Sequence, residues 1–193
     1  MDAAVKKAIF LDRDGVINED TGYVILPKEF SFKDGIFEFC RFAQEKGYLL
    51  IVITNQAGIA RGYYTEDDFH KLNDWMLKEF EIRGVHISRV YYCPYHPVYG
   101  IGEYKRESED RKPNPGMILK AKAECGIDLK RSVLIGDKDS DIEAGQAAGI
   151  NTVIALKGNY PITNKPNVVC IRELSHAVRF IAQVDSIEME NQQ

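Results

Sequence analysis

The chain has 193 residues, of which 45% are hydrophobic and 28% charged, and its formal net charge is −4 at pH 7. This length suits one domain with a substantial core and is short for two. The acidic balance and the absence of a Lys/Arg cluster exclude the usual electrostatic signatures of nucleic-acid and membrane-surface binding, so we expect a small-molecule partner.

Two features of the sequence predict a cytoplasmic location. The apolar run from Ala8 to Leu11 ends at Asp12, which makes it too short for a signal-peptide core or a membrane span. The four cysteines have no spacing typical of a disulfide framework, which favours reduced thiols. We expect a cytoplasmic protein and take a monomer as the default state.

Short apolar runs alternate with amphipathic stretches along the chain. Six of the runs end in polar residues and predict buried strands at 8–11, 48–54, 90–92, 133–136, 152–156 and 168–171. Helical periodicity predicts helices at 36–47, 65–84, 114–126, 140–148 and 174–184. Thr65 is the predicted N-cap of the second helix, and Asn114 with Pro115 at N1 begins the third.

This alternation predicts an α/β fold, a three-layer Rossmann-like arrangement with a mostly parallel sheet and helices on both faces. We expect residues 1–184 to form a single domain and residues 185–193 a polar tail. Only about 20 residues separate Asp14 from the first helix, a loop-scale connection, so we expect no large cap domain.

Four polar motifs follow predicted strands or precede a predicted helix. Asp12 and Asp14 come directly after the first strand, and Thr54-Asn55-Gln56 follows the second. Arg111-Lys112-Pro113 leads into the third helix, and Gly136 to Asp141 follows the fourth strand. Each motif alone is typical of a turn, a polar loop or a helix cap. Together they lie at or near the carboxyl ends of predicted parallel strands, which share one edge of the sheet. We therefore predict that the four motifs form one crevice.

The residue types in this crevice suit phosphate chemistry. Carboxylates act as nucleophiles and as general acids or bases. Hydroxyl, amide and cationic groups stabilise phosphoryl oxygens. The carboxylates of Asp137, Asp139 and Asp141 would repel one another unless they bound a hard cation. The sequence therefore predicts phosphoryl-transfer chemistry beside a bound cation.

The order Asp-x-Asp-Gly, Thr, Lys and Gly-Asp-x-x-x-Asp resembles that of the haloacid dehalogenase (HAD) superfamily of phosphohydrolases over nearly the whole chain. Longer segments are similar to those of the D-glycero-D-manno-heptose 1,7-bisphosphate 7-phosphatases. These segments are Phe10 to Gly15, Thr54 to Gly62, Tyr92 to Pro94, Arg111 to Pro113 and Gly136 to Lys138. Histidinol-phosphate phosphatases share much of this pattern.

The resemblance implies a phosphatase that removes the 7-phosphate of D-glycero-D-manno-heptose 1,7-bisphosphate. Asp12 would be the nucleophile and would form an aspartyl phosphate. Asp14 would protonate the leaving alkoxide and then activate water. Thr54 and Lys112 would hold the phosphoryl oxygens during transfer.

The resemblance also implies a magnesium site and a substrate site. Mg²⁺ would be bound by Asp12, the backbone carbonyl of Asp14 and Asp137, with Asp141 as a supporting carboxylate. The implied substrate-binding residues are Asp20, Thr21, Gly22, Tyr23, Asn55, Gln56, Ala57, Arg111 and Lys138.

The sequence departs from the family in the long loop 94–111. Many heptose bisphosphate phosphatases have a structural zinc bound there by Cys-x-His and Cys-x-Cys. Of these ligands only Cys93 is present, with Tyr95, Ser108 and Asp110 at the other positions. Because structural zinc normally has four good ligands, we predict no zinc and disfavour a site built from Cys93, His96 and Asp110. We expect the loop to be held by packing among its aromatic residues, Tyr91, Tyr95, Tyr99 and Tyr104.

Other functions remain open at this point. A histidinol-phosphate phosphatase or another small sugar-phosphate phosphatase would use the same catalytic groups, although Arg111 favours a second anion on the substrate. A non-catalytic phosphoacceptor domain would combine acidic residues, Thr and Lys on a similar fold. Asp14 argues against that reading, because a stored aspartyl phosphate needs no acid/base group two residues after the acceptor.

Overall fold

A computed structural model describes residues 5–181 of the chain. Six strands form one parallel sheet in the order β3-β2-β1-β4-β5-β6. Their bounds are β1 Lys7–Leu11, β2 Tyr48–Asn55, β3 Ile87–Cys93, β4 Val133–Gly136, β5 Thr152–Leu156 and β6 Val168–Ile171. From β1, the strands β2 and β3 lie successively further out on one side of the sheet. On the other side, β4 lies beside β1 and is followed by β5 and β6. The strand order therefore reverses beside β1, which is where open α/β sheets bind ligands.

Helices cover both faces of the sheet, as the alternating pattern predicted. They are α1 Ile36–Glu45, α2 Ala57–Ala60, α3 Glu66–Ile82, α4 Gly116–Cys125 and α5 Asp139–Ala148. Short 3₁₀ turns lie at Pro27–Glu29, Gly102–Tyr104, Leu129–Arg131 and Leu174–Ala177. The three-layer, mostly parallel fold expected from the sequence is confirmed.

Alternate strand residues face opposite layers, because successive side chains of a strand point to opposite sides. Ile9 and Leu11 of β1 join the core beneath α1 and α3, whereas Ala8 and Phe10 join the core beneath α4 and α5. All four side chains are fully buried. The two cores fix the central strands rigidly and so fix the positions of the polar residues that follow them.

The ends of two helices test the capping predictions. Thr65 is the N-cap of α3 as predicted, and its hydroxyl accepts a hydrogen bond from the Asp68 amide at 3.1 Å. The predicted start of α4 is wrong by one residue, because Pro115 is the N-cap and Gly116 the first helical residue. The amide of Asn114 donates instead to the Ser108 carbonyl at 3.0 Å, which removes its side chain from the helix end.

Three further differences lie away from the central strands of the sheet. The short helix α2, just after β2, was not predicted. Strand β3 is longer than predicted because it is an edge strand, where exposed polar residues such as Arg89 are tolerated. The predicted helix 174–184 begins as a 3₁₀ turn and is helical at 178–181, and its remainder and the tail 185–193 lie outside the described residues. None of the helices within 5–181 has the length and apolar character of a membrane span.

Candidate active site

Three adjacent strands bring the predicted catalytic groups together. Asp12 follows β1, Thr54 is the next-to-last residue of β2, and Asp137 follows β4. These three strands are neighbours in the sheet. The amide of Asp12 continues the ladder by donating to the Ile135 carbonyl at 3.1 Å. A cleft at this edge is lined by Asp12, Asp14, Thr54, Asn55, Lys112, Lys138, Ser140 and Asp141. The predicted convergence of the four motifs therefore occurs.

Lys112 reaches this cleft from the loop that precedes α4. Its ammonium group lies 2.7 Å from Oδ1 of Asp12 and 2.7 Å from Oδ1 of Asp141, and it donates to the Ile53 carbonyl at 2.9 Å. Only 3% of the side chain is exposed. Lys112 thus places one positive charge between two carboxylates in the interior.

The buried charges shift one another's pKa values. Burial raises the pKa of Asp12 to about 6, although Lys112 opposes this shift. Burial by itself lowers the pKa of Lys112, but the carboxylates of Asp12 and Asp141 outweigh it and hold that pKa above its ordinary value. The lysine therefore stays a cation, suited to stabilising phosphoryl oxygens.

Asp137 has the environment of a metal ligand. Its side chain is fully buried, and neither carboxylate oxygen has a hydrogen-bond partner among the described residues. Burial, followed by the charge of Asp12, raises its pKa to about 8. A buried carboxylate without partners is costly unless a cation binds it. Within residues 5–181, the only cluster of three groups able to hold a metal ion is Asp12, Asp137 and Asp141, with ligand atoms within 4.8 Å of one another.

Asp141 differs from Asp137 because its oxygens are already engaged. Oδ2 accepts the backbone amides of Asp137 at 3.2 Å and Lys138 at 3.0 Å, while Oδ1 pairs with Lys112. These contacts fix the turn that carries Asp137. The arrangement suits the supporting role that the sequence assigned to Asp141.

Two glycines make room for these carboxylates. A Cβ atom on Gly15 would lie 2.0 Å from Oδ2 of Asp137, and Gly15 has a φ of +100°. A Cβ atom on Gly136 would lie 2.2 Å from Cβ of Asp141. Glycine is therefore required at both positions by the close approach of the acidic side chains.

Asp14 lies in the same cleft, held by several donors. Arg13, whose guanidinium is buried, donates from Nη2 to both oxygens at 2.8 and 2.9 Å. Asn18 donates to Oδ1 at 3.1 Å and Gln56 to Oδ2 at 3.2 Å. The carboxylate predicted to be the general acid and base is thus fixed in orientation.

The segment after β2 lines the cleft mainly by supporting other groups. Asn55 exchanges two hydrogen bonds with the backbone of Lys112, accepting its amide at 3.0 Å and donating to its carbonyl at 2.9 Å. Gln56 is buried and bonds both Thr54 and Asp14. Ala57 is the first residue of α2. The amides of Asn55 and Gln56, predicted to bind substrate, therefore hold the catalytic groups in place.

The segment Asp20 to Tyr23 lies beside Lys138. Oδ2 of Asp20 accepts the Lys138 ammonium at 2.8 Å and the Tyr160 hydroxyl at 3.0 Å. Thr21, Gly22 and Tyr23 are exposed, and the Tyr23 ring lies edge-on to that of Tyr63 at 4.7 Å. This predicted substrate segment is connected to the cleft through Lys138.

Arg111 extends from the loop 94–111, next to Lys112. It donates to the Tyr95 carbonyl at 3.2 Å, and its pKa is lowered by burial and by the nearby charge of Arg61. The Arg61 guanidinium lies 4.2 Å from the centre of the Tyr99 ring, and its buried Nε has no partner among the described residues. Arg61 is therefore near enough to Arg111 for the two positive charges to repel each other.

Aromatic and ionic contacts hold the loop 94–111. Tyr95 and Tyr104 pack with ring centres 6.1 Å apart, and Arg106 lies 3.7 Å above the Tyr95 ring. Glu66 accepts the Tyr104 hydroxyl at 2.7 Å and the Tyr92 hydroxyl at 2.5 Å. The inclusion of Tyr91 in this packing is wrong, because its hydroxyl donates to Glu124 and its ring packs in the core beneath α4 and α5.

Several supporting residues were not predicted. The main ones are Arg13, Asn18 and Tyr64, which bond Asp14 or Gln56. The sequence contained a signal for Arg13, because this cation stands directly between the carboxylates of Asp12 and Asp14. Nothing in the local sequence distinguishes the phenol of Tyr64 from that of the exposed Tyr63 beside it.

The site combines three features on this sheet: the pair Asp12 and Asp14, Lys112 between two carboxylates, and the acidic residues after β4. Together they define a HAD-type hydrolase. A family model described as HAD-hydrolase-like matches residues 110–172. The D-glycero-alpha-D-manno-heptose-1,7-bisphosphate 7-phosphatase of Burkholderia mallei is 57% identical over 150 residues, covering 78% of this chain and 79% of that protein. The D-glycero-beta-D-manno-heptose-1,7-bisphosphate 7-phosphatase of Vibrio cholerae is 45% identical over 177 residues, covering 89% and 95%. The chain therefore belongs to the heptose-1,7-bisphosphate 7-phosphatase family of the HAD superfamily.

A solved structure supports the same fold. The D,D-heptose 1,7-bisphosphate phosphatase from B. bronchiseptica, complexed with magnesium and phosphate, matches with a TM-score of 0.80 at 24% identity. The match covers 92% of this chain and 98% of that one. The architecture of the central sheet and its helices is therefore shared with that phosphatase.

Proposed function

We propose that this protein is a magnesium-dependent phosphatase that removes the 7-phosphate of D-glycero-α-D-manno-heptose 1,7-bisphosphate. The observation that carries the proposal is the pairing of Asp12 with Lys112 beside Asp137, whose oxygens have no hydrogen-bond partner within residues 5–181. The chain is also 57% identical to an α-anomer phosphatase. The lower identity of 45% to a β-anomer phosphatase favours the α anomer. The enzyme would act in the cytoplasm as a monomer.

The reaction proceeds in two displacements. The Asp12 carboxylate attacks phosphorus, and the bond from phosphorus to the sugar oxygen breaks as Asp14 gives that oxygen a proton. Asp14 then takes a proton from water, which attacks the aspartyl phosphate and releases inorganic phosphate and free Asp12. The donors around Asp14 support this dual role because they hold its carboxylate in the cleft.

The residues present fit a magnesium ion. Asp12, Asp137 and the backbone carbonyl of Asp14 would hold it, while Asp141 supports the turn. When bound, Mg²⁺ neutralises charge so that two anions can approach each other. The magnesium in the B. bronchiseptica relative supports the same cofactor here.

Thr54 and Lys112 hold the phosphoryl oxygens during transfer. Phosphoryl transfer depends mainly on positioning and charge stabilisation, and a buried ammonium fixed by three acceptors supplies both. Asn55 fixes the backbone of Lys112 through its paired hydrogen bonds. The phosphoryl group would therefore meet donors that are already in position.

The second phosphate of the substrate would lie against Arg111 and Arg61. Their charges are close enough to oppose each other, and a dianion between them would relieve that repulsion. The sugar would contact the segment from Asp20 to Tyr23 and Lys138. Arg111→Met and Arg61→Met should lower the preference for the bisphosphate over heptose 7-phosphate, whereas the exposed Arg89→Met should leave it unchanged.

Phosphate release, with and without magnesium, tests the proposed function. The substrates are both anomers of heptose 1,7-bisphosphate, fructose 1,6-bisphosphate and histidinol phosphate. A magnesium-dependent preference for the α-heptose supports the proposal. Preference for histidinol phosphate would retain the catalytic roles and overturn the substrate, and no release from any substrate would overturn the enzymatic function.

A further inference from the structure

A buried hydrogen-bond chain joins Tyr64 to the catalytic groups through Gln56. The Tyr64 hydroxyl donates to Oε1 of Gln56 at 2.6 Å. Nε2 of Gln56 donates to Oγ1 of Thr54 at 2.8 Å and to Oδ2 of Asp14 at 3.2 Å. Gln56 is 1% exposed and Tyr64 9% exposed, so the chain is largely shielded from water.

The atoms of the Gln56 amide face different partners, which gives each hydrogen bond in the series a direction. Nε2 faces Asp14, whose two oxygens also accept hydrogen bonds from Arg13. The carbonyl oxygen of Gln56 then faces Tyr64, whose hydroxyl must donate. Burial raises the pKa of Tyr64, which keeps that hydroxyl protonated.

The orientation of the Gln56 side-chain amide also determines how Thr54 presents its hydroxyl group. Oγ1 of Thr54 accepts the second N–H of the Gln56 amide. Its own proton must therefore point to a different acceptor, and Thr54 lines the cleft beside Asp12. The hydroxyl is thereby set as a donor toward a phosphoryl oxygen.

The position of the Tyr64 ring is fixed by its surroundings. A Cβ atom on Gly58 would lie 2.1 Å from Cε1 of Tyr64, so the ring packs directly on the glycine backbone. The ring also belongs to a small core cluster with Ile59 and Phe69. The hydroxyl is therefore held in place by packing and not only by its hydrogen bond.

We propose that Tyr64 is a positioning residue for phosphoryl transfer. Through Gln56 it sets the donor direction of Thr54 and holds one oxygen of Asp14. This inference rests on the proposed function, because it assigns Thr54 and Asp14 their roles in that reaction. Tyr64 itself touches neither the substrate nor the reacting atoms.

Tyr64→Phe tests the role, because it keeps the packed ring and removes only the hydroxyl. We expect kcat to fall about fivefold to tenfold, as for the loss of one buried hydrogen bond, with KM changed less than about twofold. Orthovanadate, which mimics five-coordinate phosphorus, should inhibit more weakly by the same factor, while inhibition by inorganic phosphate stays constant. Tyr91→Phe is the matched control, because it removes a phenol bonded to Glu124 at the surface.

A purely structural role would give a different pattern. Equal weakening of vanadate and phosphate inhibition together with a lower melting temperature would overturn the inference, as would a variant identical to wild type. Gln56→Glu should be more damaging than Tyr64→Phe, because it places an acceptor opposite Asp14. Vanadate inhibition of p-nitrophenyl phosphate hydrolysis tests the Tyr64–Gln56 hydrogen bonds with a substrate that contains no sugar. Failure of the heptose assignment is therefore distinguishable from failure of the proposed role of Tyr64.

Discussion

Asp137→Asn should stabilise the metal-free protein while abolishing its response to magnesium. Both oxygens of Asp137 are buried without hydrogen-bond partners among the described residues, and burial makes its ionised form costly until a cation binds. Asparagine has nearly the same shape and carries no charge. The substitution therefore removes a cost of folding and, with it, a metal ligand.

The size of the effect follows from the pKa of Asp137, which burial raises to about 8. Each pKa unit corresponds to roughly 1.4 kcal/mol, and the desolvated amide of asparagine offsets part of the gain, so we expect about 2 kcal/mol at pH 8. For a chain of this size that raises the melting temperature by about 4–8 °C. Because the folded-state pKa lies above that of the unfolded chain, the folded metal-free protein binds more protons. Its stability should therefore fall as pH rises from about 4 to 8, and the advantage of Asp137→Asn should shrink toward pH 5.

Thermal unfolding in EDTA and in MgCl₂ measures both effects. Magnesium at 100 times its dissociation constant should stabilise the wild type by about 2.7 kcal/mol and leave Asp137→Asn unchanged. Asp139→Asn is the matched control, because its carboxylate bonds Thr163 in the same region and should keep the wild-type magnesium response. A lower melting temperature of Asp137→Asn in EDTA, or a retained magnesium shift, would refute the reasoning.

Three other predictions concern the nucleophile and the loop 94–111. Asp12→Asn should abolish phosphate release because no aspartyl phosphate can form. Asp14→Asn should slow release severely and leave acid-stable phosphate on the protein. Normal turnover by Asp12→Asn would contradict the covalent mechanism. Purified protein should contain only trace zinc by mass spectrometry, and one zinc atom per chain would contradict this. Glu66→Gln should weaken the acceptor of Tyr92 and Tyr104, increasing proteolysis of the loop and raising KM for the bisphosphate with kcat less affected. Equal loop cleavage in wild type and variant would show that Glu66 does not hold the loop.

The sequence predicted the central sheet and the convergence of its polar ends because both depend on local patterns. Apolar runs mark buried strands whatever their neighbours, and residues after parallel strands share one edge of the sheet. Asp12, Thr54 and Asp137 were placed correctly for this reason. Thr65 was identified as a cap because threonine is a favourable N-cap type and acidic residues follow it in the first turn.

The errors arise where tertiary contacts override local preference. Asn114 is a favourable N-cap by type, but a carbonyl six residues earlier binds its side chain. Tyr91 lies in an edge strand whose alternation places it on the opposite face from the loop. The hydrogen bond from Tyr64 to Gln56 depends on how the Tyr64 ring packs against Gly58 of α2, which no spacing rule encodes.

A series of hydrogen bonds connects Arg111 in the loop 94–111 to α3. Arg111 is held by the carbonyl of Tyr95, and the adjacent His96 amide bonds the carbonyl of Tyr104. The phenol of Tyr104 in turn bonds Glu66 at the start of α3. Because the charged acceptor Glu66 ends this path, the position of Arg111 should depend on contacts with α3. Chelators should therefore affect magnesium-dependent turnover without loosening the loop.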